Sequence, residues 1–200
     1  MFIKNIEPYI SPGNIRMKIP TFSIPAIKTC KGSTEHCRKY CYARKAEKRF
    51  KKVRESRERN LKCTKKFRFV KQMSKQIEKK KGKYFRIHES GDFYKQRYLN
   101  KWIKIARKFP DINFLAYTQA NHLNFTKKPD NLIIYHSVWD DSKDTPKEGL
   151  KAFVKDKGNG KIGEYPIPKN IHKCVKGKDL GCESCLYCFE GRGDVEFELH

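Results

Sequence analysis

The chain has no long apolar run. Its opening residues, MFIKNIEPYI, offer neither the hydrophobic stretch of a signal peptide nor the length of a membrane span. The expected setting is therefore the cytoplasm, with no membrane partner. The chain is also poor in acid: 22 Asp and Glu stand against 46 Lys and Arg, a formal charge of +24. Repeats, heptads and low-complexity tracts are missing, and no linker-like stretch divides the 200 residues, which suits one substantial core. Two kinds of site lose support as well. There is no Ser/His/Asp nucleophile pattern, and the glycines of KDKGNGKIG are too irregular to cradle a phosphate.

A surface this basic attracts polyanions, which makes nucleic acid a natural partner. The competing reading is a set of solvated helix faces, whose charge metal-bound thiolates would partly cancel.

Cysteine is present in a telling arrangement. Seven of the eight fall into two tight groups: Cys30, Cys37 and Cys41 in TCKGSTEHCRKYCYA, and Cys174, Cys182, Cys185 and Cys188 in HKCVKGKDLGCESCLYCFEG. In a reducing compartment such groups read as metal ligands rather than disulfides. A [4Fe-4S] cluster needs four outside ligands, so three cysteines leave one iron open to chelate a small molecule. Cys37 and Cys41 lie one helical turn apart, and Cys30 closes the loop. Zinc would need a fourth ligand, for which His36 is a candidate. In the second group, Cys182-x2-Cys185-x2-Cys188 has ferredoxin-type spacing, with Cys174 as the fourth thiolate. The shared Cys185 favours an iron–sulfur cluster, and a closed zinc site is the alternative. Cys63, alone in LKCTKKF, reads as a packed thiol.

Periodicity predicts alternating strands and helices. Expected strands are 14–19, 84–89, 112–117 and 132–136, with weaker ones at 152–154 and 171–174. Val195, Phe197 and Leu199 suggest a final edge strand. Expected helices run over 42–59, through Phe67, Val70, Ser74 and Ile77, and over 95–109, where Pro110 ends the last. This order predicts an α/β fold with a parallel sheet, open or curled into a partial barrel. Ligands of such folds bind at the carboxyl ends of the strands. The first cysteine loop, the stretch from His88 to Asp92, Tyr117-Thr118-Gln119 and His136-Ser137 all fall there. Alternation along 84–89 sends Phe85 and Ile87 toward helices and leaves Arg86 and His88 facing a lumen. His88 and His136 are thus candidates for catalytic proton transfer or substrate contact, against the alternative of hydrogen-bonded core histidines. Asp140 and Asp141 could bind a polar group or form a solvated turn, and His200 could be a metal ligand or a free terminus.

With Tyr40 placed just before Cys41, the chain resembles the radical S-adenosylmethionine enzymes. They carry a cysteine loop after the first strand of a partial (β/α)6 barrel and an acid- and glycine-containing turn after the second. The resemblance implies a barrel over 1–174, with 175–200 as a cysteine-rich extension completing an auxiliary metal site. It implies an open [4Fe-4S] cluster on Cys30, Cys37 and Cys41, and S-adenosylmethionine held by Tyr40, Glu89, Ser90, Gly91 and Asp92. A second [4Fe-4S] cluster or zinc would sit on Cys174, Cys182, Cys185 and Cys188, and a flavodoxin or ferredoxin would donate electrons. The spacing here is six residues and then three, not the superfamily's CxxxCxxC. A closer resemblance rests on CRKYCYA, RIHESGDFYKQRYLNKWIKIA, FPDINFLAYTQ and a terminal cysteine group followed by DVEFELH. Those segments look like the phage gene product 88 family. A non-catalytic zinc protein that binds nucleic acid remains the alternative.

Overall fold

The computed structural model describes residues 6–14, 17–155, 168, 170–174 and 181–199. The KDKGNGKIG stretch beyond Lys155, residues 175–180 of the cysteine-rich segment and His200 lie outside them. Among the described residues seven strands form one sheet: β1 (Thr21–Phe22), β2 (Tyr84–Ile87), β3 (Asn113–Thr118), β4 (Leu132–Val138), β5 (Leu150–Lys155), β6 (His172–Lys173) and β7 (Val195–Glu198). Their order is β1-β2-β3-β4-β5-β7-β6, and every neighbouring pair is parallel. The helices are α1 (Glu35–Lys39), α2 (Tyr42–Arg49), α3 (Lys51–Lys65), α4 (Phe69–Glu78), α5 (Gln96–Lys108) and α6 (Cys182–Cys185). Among the described residues, no helix is long and apolar enough to cross a membrane.

Both faces of the central strands are covered, as near-continuous apolar runs such as LIIYHSV require. On one face, Phe22, Phe85, Phe114 and Ile134 pack against α3, α4 and α5 through Leu61, Phe69, Met73 and Trp102. On the other, Leu115, Ile133 and Tyr135 meet Phe189, Leu186 and Cys188 of the C-terminal segment. Helices therefore cover one face and the cysteine-rich segment the other.

Several expectations need correction. The first strand is Thr21–Phe22, not 14–19. There Asn14 instead caps a turn, its Oδ1 accepting from the Met17 N–H at 2.9 Å. The helix expected over 42–59 is broken at Phe50, which is extended (φ −118°, ψ 105°) and half exposed. The cause is the buried Arg57, which donates to the Ala43 carbonyl and the Glu47 carboxylate, each at 3.0 Å, and folds α3 back on α2. Phe67 is 82% exposed, and Phe69 takes the core position at the start of α4. A sixfold β/α alternation is not built either. The β3–β4 and β4–β5 connections are loops, since spans 119–131 and 139–149 barely reach the length of a helical crossover. Nor is the final strand at an edge: β7 inserts between β5 and β6.

Candidate functional site at the carboxyl ends of the strands

After β1 the chain turns through Ile27 (φ 61°), and Cys30 donates its N–H to the Ile27 carbonyl at 3.1 Å. The loop is then clamped to the end of β3. Gly32 lies so close that a Cβ there would meet the Gln119 carbonyl at 1.8 Å, and the Gln119 side chain accepts the Thr34 N–H at 2.9 Å. Thr34 caps α1, accepting the Cys37 N–H at 3.2 Å, and Cys41 caps α2, its Sγ accepting the Arg44 N–H at 3.4 Å.

The three thiols are near enough to feel one another. Burial, with the Asp92, Cys37 and Cys41 charges, pushes Cys30 up to about 12 against an opposing hydrogen bond from the backbone. Burial likewise pushes Cys37 up to about 12, with Cys41 adding to it and a Gln119 hydrogen bond opposing. Any metal bound there would have to displace their protons.

The turn after β2 supplies the frame. Asp92 is buried, its Oδ1 accepting from the Thr118 hydroxyl and the Phe93 N–H at 2.6 Å each and its Oδ2 from the Gln119 N–H at 2.8 Å. Gly91 (φ 84°) has no room for a side chain, because a Cβ would meet Ile24 Cγ1 at 2.4 Å. Ser90 is buried against Glu47, whose Oε1 also accepts the Ala26 N–H at 2.9 Å. Ser90, Gly91 and Asp92 therefore build the rim. Glu89 alone of the turn keeps a partly exposed carboxylate, which meets the Asn14 amide at 2.8 Å, while its carbonyl accepts from the Tyr42 hydroxyl at 2.7 Å.

The two candidate histidines do not join this site. His88 has φ 63°, which breaks the strand alternation and turns its ring to the helical face instead of the expected lumen. There Nε2 meets the Tyr98 hydroxyl at 2.8 Å, and Nδ1 has no partner among the described residues. Burial, aided by Arg86, pushes it down to about 3. His136 lies within β4, on the same face as Leu132 and Ile134, and its Nδ1 meets Asn121 Oδ1 at 2.8 Å. Burial, with the Lys151 charge, pushes it down to about 4. Both match the alternative of hydrogen-bonded core histidines.

The second cysteine group lies on the opposite face of the sheet. Cys174 and Cys188 pack with Tyr117, Tyr135 and Phe189, and the Cys174 N–H reaches the Glu196 carbonyl of β7 at 2.9 Å. Burial raises Cys188, and the Tyr117 side chain and Arg86 oppose it. Arg86 faces this side, as the alternation of β2 predicts. Its guanidinium lies 4.1 Å over the Tyr117 ring, and its charge acts on Tyr42 beside Cys41 as well as on Cys182 and Cys188. One arginine thus stands between the two groups.

Residues 4–191 match the family model described as Gene product 88. The chain belongs to the gene product 88 family. The Gene 88 protein of Mycobacterium phage L5 is 31% identical over 201 residues, covering 84% of this chain and 81% of that one. That of Mycobacterium phage D29 is 29% identical over 197 residues, with the same coverages. No solved structure matches. The family match takes in both cysteine groups and ends before DVEFELH.

In this gene product 88 member, further residues shape the site without a sequence signal of their own. Glu47 and Arg57 form a buried ion pair under the loop, and neither their spacing nor their helix periodicity marks them. His172, two residues before Cys174, puts Nε2 3.8 Å from Cys185 Sγ and stacks on Tyr187. The HKC run was its only signal. At the rim, Asp140 and Asp141 both engage His36. Asp140 meets His36 Nδ1 at 2.6 Å, and Asp141 accepts the His36 N–H at 2.9 Å. The ligand atoms of these three residues gather within 4.8 Å, whereas no three thiols do so among the described residues. Tyr40 caps α1 and lines a small hollow with His36, Trp139 and Asp140.

Proposed function

We propose that the protein is a compact iron–sulfur enzyme of the radical S-adenosylmethionine type, working in the cytoplasm, with its parallel sheet curved as a partial barrel. The observation that supports this reading is the placing of the Cys30–Cys41 loop after β1, tied through Gln119 to Asp92 in the turn after β2. The donor set fits an iron–sulfur cluster better than one zinc ion. Zinc at about 2.3 Å from each sulfur draws its thiolates to within about 4 Å of one another, and no three thiols lie within 4.8 Å among the described residues. A [4Fe-4S] cluster there would supply an open iron for the amino and carboxylate groups of S-adenosylmethionine and an electron for cleavage of its sulfonium.

The protein's own residues then divide the work. Gln119, Thr34 and Asp92 fix the loop that presents the thiols. The Tyr42 hydroxyl holds the Glu89 carbonyl, which leaves the Glu89 carboxylate at the rim to accept hydrogen bonds from that amino group. Tyr40 stands with His36, Trp139 and Asp140. His88, neutral and fixed to Tyr98, orients the turn from behind. The second group, across Arg86, would hold an auxiliary cluster in electrical reach of the first, and a flavodoxin or ferredoxin would reduce the pair. One observation favours zinc at the second group: the approach of His172 to Cys185, a nitrogen–sulfur pairing that zinc accepts.

Iron, sulfide and zinc per chain after oxygen-free reconstitution, followed by spectra of the reduced protein with and without S-adenosylmethionine, test this reading. Iron at both groups and a spectral change on adding S-adenosylmethionine are expected. Zinc alone would overturn it.

A further inference from the structure

The basic charge is not spread evenly. Between Arg38 and Arg68 there are fifteen Lys and Arg against three Glu, half of the chain's formal excess of +24. Of those glutamates, Glu47 is half-buried against Arg57, Glu58 pairs with Lys28, and Glu55 faces Lys51 at 3.9 Å. The outer face of α2 and α3 is therefore almost purely cationic.

The same segment gathers the exposed apolar side chains. Among the described residues the exposed large hydrophobics are Ile6, Tyr9, Tyr42, Phe50 and Phe67. Tyr42 opens α2, Phe50 joins α2 to α3, and Phe67 follows α3. Tyr9 and Ile6 lie against α3 through Asn60 and Cys63. Exposed apolar side chains scattered singly need no explanation, but a shared location does. Three of the rings carry an arginine: Arg49 lies 5.3 Å over Phe50, Arg68 5.2 Å over Phe67 and Arg59 5.4 Å over Tyr9. A merely solvated helix face has no use for rings under guanidinium groups.

We propose that the α2–α3 face binds single-stranded nucleic acid, with bases stacked on Phe50 and Phe67 and the backbone tracked by the surrounding Lys and Arg. Flat rings set in a positive surface accept any base and favour unpaired strands, whose faces are free to stack. A duplex offers phosphates alone. The face starts at Cys41, so a strand lying along α3 leads through Tyr42 to the rim. That last step rests on the function proposed above, whereas the binding itself does not.

The test uses the full chain and a fluorescein-labelled oligothymidylate of roughly 20 nucleotides, read by anisotropy. Binding at low salt is expected, weakening steeply as salt rises. A duplex of the same length should bind about tenfold more weakly. Phe50→Ala with Phe67→Ala should lose about tenfold in affinity while leaving thermal unfolding and iron content unchanged, because both rings are exposed and neither touches a cysteine group. Equal affinity of that double variant and the wild type would overturn the inference by reducing it to charge. Tighter binding to phosphatidylserine vesicles than to the oligonucleotide would overturn it in favour of a lipid surface. Normal iron loading without oligonucleotide binding would sink this inference and leave the proposed function standing.

Discussion

The first cysteine group is assembled from the ends of elements, whereas the second lies on the surface of a sheet. Cys37 sits in one short helix, Cys41 caps the next, and Cys30 follows a strained turn, all pinned by Gln119 and Asp92. Cys174 and Cys188 instead pack among Tyr117, Tyr135 and Phe189. Their electrostatics differ as well. Burial holds Cys30 and Cys37 near 12, and their neighbouring acid and thiols add to the cost of charge. Cys182 and Cys188 face Arg86, which lowers that cost. The second group carries part of its countercharge in the protein, and the first would need a cation from outside to ionise.

The largest test of this contrast is reciprocal. Cys37→Ala should abolish metal at the first group and keep it at the second, and Cys185→Ala should do the reverse, read as metal per chain. Loss of both centres in either variant would break the division into two groups. Next comes the frame of the first group. Glu47→Ala leaves Arg57 charged and buried, and chemical denaturation should register a loss of about 3–5 kcal/mol. A smaller, more selective effect is expected at the bridge between the groups. Arg86→Gln should weaken metal retention at the second group about tenfold and leave the first unchanged, as competition with a chelator would measure.

The mildest test is pH. His88 titrates near 3 when folded and near 6.5 when unfolded, so the unfolded chain binds the extra proton as pH falls between those values. Stability from this group is complete above about 6.5 and declines by up to about 1.4 kcal/mol per pH unit toward 3. His88→Asn tolerates the left-handed backbone and should flatten that part of the acid limb in denaturation curves.

The contrast was only partly visible in the chain. The β2–α5–β3 unit could be read directly, because Leu99, Trp102 and Ala106 recur on one face of α5 and Pro110 ends it. The convergence of Cys30, Asp92 and Gln119 also followed from placing each after a parallel strand. Other features depend on contacts between distant residues. Ala43, Ala46, Phe50 and Val53 fit one continuous helix, and only the Arg57–Glu47 pair reveals the break. The turned ring of His88 depends on a single backbone angle at the end of β2. The insertion of β7 between β5 and β6 follows from its pairing with Ala152–Lys155, which no local pattern encodes.

The most direct measurement is the nucleoside product. The reconstituted full chain, supplied without oxygen with dithionite and S-adenosylmethionine, should release 5′-deoxyadenosine, and Cys37→Ala should release none. Iron-loaded protein that yields no 5′-deoxyadenosine would contradict the assignment of the first cysteine group as the reactive one.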